Sequence, residues 1–80
     1  MATIEIDYSE LKGKIRAVFD TQEAFADAMG MSRNAVSQRL TGAIEWKIKE
    51  IAKACDVLGI PIADAHIYFL TVSRRQTLDF

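Results

Sequence analysis

Apolar residues recur along most of the chain at intervals of three and four, the period of a helix buried on one side. Leu11, Ile15, Val18 and Phe19 form the first such stripe, and Asp7-Tyr8-Ser9-Glu10 precedes it in the order of a capping box. Gly13 weakens this helix without ending it. A second helix is expected from Gln22 to about Met29, capped by Asp20 or Thr21, with Phe25, Ala28 and Met29 turned inward. Gly30 stops it. A third, short helix is capped by Ser32 and ends near Leu40, before Thr41-Gly42. A fourth starts at Trp46 or Lys47 and reaches Leu58, its stripe being Ile48, Ile51, Ala52, Cys55 and Leu58. Gly59 marks its end, and Pro61 opens a last helix through about Phe69. The pattern predicts an all-α fold of five helices.

The two ends alternate instead. Thr3 to Asp7 places Ile4 and Ile6 on one side, and Thr71 to Phe80 spaces Val72, Leu78 and Phe80 with polar residues. Period two suggests short β-strands that pair with each other or across a dimer axis, with frayed termini as the plainer reading.

Size and composition narrow the function. Eighty residues make a single domain, 1–80, with no room for a second, ligand-sensing one. Hydrophobic residues make up 50% and charged residues 26%, an ordinary globular balance. The apolar stretches are too short and too broken to span a membrane. The N-terminus lacks the basic start and apolar run of a signal peptide, and one cysteine, Cys55, allows no internal disulfide. A cytoplasmic setting is expected. The net charge is -1, which at first argues against nucleic acid. Its distribution matters more. No acid occurs between Asp27 and Glu45, a gap that holds Arg33 and Arg39 and is followed by Lys47, Lys49 and Lys53. The middle of the chain is thus locally positive.

Within that middle, Thr21 to Gly42 carries a spacing of its own. Two short helices that meet steeply need a small residue where their backbones approach, supplied by Ala26, and a turn residue free of Cβ strain, supplied by Gly30. Phe25, Met29, Met31, Val36 and Leu40 fill the wedge between them. This is the plan of a helix-turn-helix, with the motif at 21–42. Gln22-Glu23, then Ala26-Asp27, Met29-Gly30-Met31 and Val36 resemble the lambda-repressor-like family nearly position for position. Tyr8 to Ile15, Lys53 to Ile60 and the pair Tyr68-Phe69 extend the resemblance to small phage Cro-like or repressor-like proteins. One residue departs from the broader motif: Arg39 occupies a position that is often apolar, and Leu40 supplies the core contact.

With Val36 toward the core, Asn34, Ser37, Gln38 and Thr41 share the opposite face of the third helix. Amides and hydroxyls on an acid-free stripe suit base edges in the major groove, and Arg33 at the first turn suits guanine. The resemblance implies that the recognition helix 32–40 reads bases through Arg33, Asn34, Ser37 and Gln38. It also implies phosphate contacts from Gln22, with Thr41, Lys47 and Lys49 as further candidates. Taken alone, such a stripe is more often just the solvated side of a helix. Arg39 is read as an intramolecular ion-pair partner, with Glu45 the nearest candidate. Cys55 falls on a core stripe, and His66 stands alone without a metal-ligating neighbour. Trp46, Tyr68 and Phe69 are read as core or dimer contacts, and Arg74-Arg75 as a solvated tail. No phosphate loop, nucleophile with a base, or ligand cluster marks an enzyme, a metal site or a cofactor.

The expectation is a DNA-binding transcriptional regulator that binds a palindromic operator as a homodimer, with half-sites about 34 Å apart. No small-molecule ligand and no membrane are expected. The alternative is a modulator, or antirepressor, that acts by binding a repressor protein rather than DNA.

Overall fold

The computed structural model describes residues 5–72. Five α-helices follow one another, α1 (Ser9–Phe19), α2 (Gln22–Met29), α3 (Arg33–Leu40), α4 (Ile48–Leu58) and α5 (Ala65–Phe69), with a 3-10 turn at Ile62–Asp64 before the last. The fold class is therefore the one the periodicity predicts. Helix α1 lies against α2, α4 and α5, while α2 sits between α3 and α4. This arrangement closes one core around Leu11, Ile15, Phe25, Met29, Val36, Leu40, Cys55, Leu58 and Phe69.

Local chemistry sets most boundaries. The Thr21 and Ser32 hydroxyls accept the N–H groups of Ala24 and Ala35, at 3.1 and 3.0 Å, and so cap α2 and α3. Asp7 rather than a capping box opens α1. Its carboxylate accepts the Ser9 N–H at 2.9 Å, and Tyr8 at the cap makes no side-chain bond. Hydrogen bonds from Ser9 hold the Asp7 carboxyl below the usual carboxylate range. Helix α1 continues through Gly13 without a break. Pro61 does not begin a continuous last helix. Its ψ of 136° leaves it outside, and the chain enters α5 through the 3-10 turn.

Two stripes are rotated from their expected facing. Val18 on α1 is 46% exposed, because burial there ends with Leu11 and Ile15. On α4, Ala54, Cys55 and Leu58 are buried and Ile51 half-buried, whereas Ala52 is exposed and Ile48 is 85% exposed. The ends meet at one antiparallel bridge, Ile6 to Val72, with the Asp7 N–H donating to the Thr71 carbonyl at 2.7 Å. Thr3, Ile4, Leu78, Phe80 and the Arg74-Arg75 pair lie outside the described residues. Among the described residues no helix is long and apolar enough to cross a membrane.

Candidate functional site

The turn between α2 and α3 is built on Gly30. With φ 71° and ψ 29° it takes the left-handed conformation, and its N–H donates to the Asp27 carbonyl at 3.1 Å. The next N–H, of Met31, reaches back to the Ala26 carbonyl at 2.9 Å, which completes a Schellman closure. Ala26 is buried at the α2–α3 approach. Val36 and Leu40 then anchor α3 inward, so its other side faces out.

That outer side carries the residues singled out in the sequence. Arg33, Asn34 and Gln38 are exposed and Ser37 half-buried. Arg33, Asn34 and Ser37 line one open depression of about 280 Å³, and no acid lies on α3. Thr41 is exposed too, but its hydroxyl donates to the Gln38 carbonyl at 3.1 Å, and it borders a different hollow with Tyr8 and Glu45. Lys47 and Lys49 stand exposed at the start of α4, and neither lines the α3 depression. Gln22 is half-buried and shares a groove with Arg33 rather than with the lysines. The structure thus gathers Arg33, Asn34 and Ser37, with Gln38 one turn from Asn34, while the phosphate candidates fall in three places: Gln22 in the groove with Arg33, Thr41 at another hollow, and Lys47 and Lys49 at the start of α4.

Arg39 does pair, but with Glu50 and not Glu45. Its Nε and Nη2 donate to the two carboxylate oxygens at 2.9 and 3.1 Å, and Nη1 donates to the Ala35 carbonyl at 3.0 Å. Glu50 also accepts the Lys47 N–H at 3.0 Å, so one carboxylate ties the last turn of α3 to the first turn of α4. The Arg39 hydrogen bond holds the Glu50 carboxyl below its ordinary value of 4.5, against the opposing effect of burial. A depressed carboxyl stabilises the fold fully above its unfolded pKa and loses that contribution as pH falls through the folded value. Glu50→Gln is therefore expected to lower the melting temperature at pH 7 and to flatten its decline below about pH 4.5. Thermal melts from pH 7 to 3 check this; parallel curves for the two proteins would show that the pair contributes nothing.

Two features escaped the sequence reading. The first is apolar surface beside α3. The α3–α4 loop folds back so that the N–H groups of Ala43 and Ile44 both donate to the Gln38 carbonyl, at 2.9 and 3.2 Å. Partly exposed Ile44 is thereby held at the C-terminal end of α3, in the hollow bordered by Tyr8, Thr41 and Glu45, and strongly exposed Ile48 stands in the turn of α4 tied down by Glu50. The second is a groove of about 510 Å³ where α1 meets the starts of α2 and α3, lined by Lys12, Arg16 and Arg33 as well as Asp20 and Gln22. At its corner Asp20 has φ 72°, and the Thr21 N–H donates to the Phe19 carbonyl at 2.8 Å, forming a γ-turn of the strained hand. A residue's position on α1 says nothing of this groove until α1 is docked.

The remaining singled-out residues belong to the core or its edge. Trp46 meets Phe69 edge-on, ring centroids 5.2 Å apart, and Tyr68 packs half-buried against the core. Cys55 is buried, and burial pushes its thiol pKa up, away from reactivity. His66 is exposed, its Nδ1 3.1 Å from the Ala63 carbonyl.

Comparison with known proteins places this geometry. Residues 4–72 match the model of a family described as protein of unknown function, DUF739. No curated protein matches the chain. Among solved structures, the chain is similar to the solution structure of the modulator of repression (MOR) of the temperate bacteriophage TP901-1 from Lactococcus lactis. The two are 45% identical with a TM-score of 0.72, over 80% of this chain and 86% of that one.

Proposed function

The chain belongs to the DUF739 family, and on that premise we propose that it modulates phage repression by binding a repressor protein. The observation that carries this reading is the 45% identity, across most of both chains, with a protein whose name is modulator of repression. The surface supports it. A chain of net charge -1 has little long-range attraction for a DNA polyanion. An isoleucine as exposed as Ile48 does nothing for a phosphate, whereas large apolar side chains beside polar ones are how protein interfaces are anchored. The acid-free face of Arg33, Asn34, Ser37 and Gln38 becomes, in this reading, the polar part of a protein contact. The setting is the cytoplasm of the phage's host.

That same face favours the second reading, direct operator binding through Arg33, Asn34, Ser37 and Gln38 with Gln22, Thr41, Lys47 and Lys49 on phosphates. One titration separates the two. The chain is added to the phage repressor held on its operator duplex, and separately to the duplex alone, across a salt series. The expected result is release of the repressor from DNA, with no shift of the bare duplex. A shift of the bare duplex whose affinity falls steeply with salt, with no effect on the repressor, overturns the proposal in favour of DNA.

A further inference from the structure

We infer that the groove between α1 and the starts of α2 and α3 receives an acidic side chain of the protein partner. The inference rests on the repressor-binding reading above. Lys12 and Arg16 stand one helical turn apart on α1, and Arg33 reaches the same groove from the first residue of α3. Among the described residues none of these three cations is held in an ion pair, although Lys12 lies near enough to Asp7 to act on its carboxyl through space. Asp20 is the single carboxylate lining the groove. Two guanidinium groups and an ammonium around one slot are the donors that a carboxylate binds best, with the arginine forks able to engage both its oxygens.

Gly13 points the same way by a different route. A glycine inside a helix weakens it by about 1 kcal/mol relative to alanine. Here a Cβ at position 13 would meet nothing within 4 Å, so packing does not demand the glycine. Gly13 lines the groove together with Lys12 and Arg16, so a longer side chain there has room to enter it.

A single carboxylate fits this site better than a DNA strand. Exposed Glu23 and Asp27 follow along α2, and Asp20 sits at the corner, so a polyanion running past the groove meets repulsion. A side chain entering end-on avoids most of it.

The test measures binding of the full chain to the phage repressor by calorimetry at several salt concentrations. Arg16→Glu and Arg33→Glu are each expected to weaken binding at least tenfold and to flatten its salt dependence. Lys53→Glu, on an exposed lysine outside the groove, is expected to stay within twofold. Gly13→Glu guards against a folding artefact. It improves helix propensity while placing a competing carboxylate in the groove, so binding should fall tenfold with no loss of melting temperature. If the wild-type chain binds and the groove variants bind within twofold of it, the groove inference fails while the repressor reading stands. If the wild-type chain does not bind repressor, both fail. If it binds operator DNA and loses that on Arg16→Glu, the groove is a phosphate site and the inference is overturned.

Discussion

Phe25→Ala is expected to lower the free energy of unfolding by about 3–5 kcal/mol, the range for truncating a buried aromatic. The residue has no exposed surface and lies in α2 between α1, α3 and α4. Its ring meets Phe19 at 5.7 Å in a tilted arrangement, so the truncation removes an aromatic contact as well as leaving a cavity. A domain of this size has roughly 4–12 kcal/mol of stability in total. The loss should therefore move the melting temperature down by roughly 15–30 °C. Val18→Ala supplies the contrast. Sequence periodicity puts Val18 on the same footing as Leu11 and Ile15, but at 46% exposure its truncation should change stability by no more than about 0.5 kcal/mol. Equal losses from the two variants would mean that α1 is rotated from the facing described above.

The difference between Phe25 and Val18 shows what periodicity can and cannot decide. Features closed by neighbours in sequence were legible: the Thr21 and Ser32 caps, the left-handed Gly30 and the inward Val36 all follow from local chemistry. Helix rotation about its own axis was not. Ile48 belongs to the apolar stripe of α4 by spacing, yet it is 85% exposed and Ala54 takes a buried place on the helix instead. Arg39 illustrates the same limit for charge. Glu45 is nearer in sequence, but only Glu50 can satisfy the guanidinium and the Lys47 N–H together, and that depends on how α3 and α4 dock.

The sequence left function open between two partners for a related reason. The α2–turn–α3 frame presents α3 outward whatever it meets, so the frame alone does not choose between a base edge and a protein surface. The absence of acids on α3 argued for DNA. The likeness to a modulator of repression shifts the balance, and surface that no sequence pattern flags supports it, since an isoleucine at helical spacing reads as core until its exposure is seen.

Ile48→Lys uses that surface to force the choice. If Ile48 anchors a protein interface, replacing it by lysine removes an apolar contact and desolvates a charge. The expected loss is about 2 kcal/mol or more, roughly 30-fold in affinity for the repressor. The fold should not notice. At 85% exposure the side chain contributes little to the core, so the melting temperature should stay within a few degrees. A DNA-binding chain predicts the opposite sign, because a new cation beside Lys47 and Lys49 adds a phosphate contact and tightens operator binding. Calorimetry with repressor and a band-shift with operator, on the same preparation, therefore give divergent answers from one substitution. Unchanged repressor affinity would remove Ile48 from the interface. Tighter DNA binding alongside it would return α3 to the role of a recognition helix.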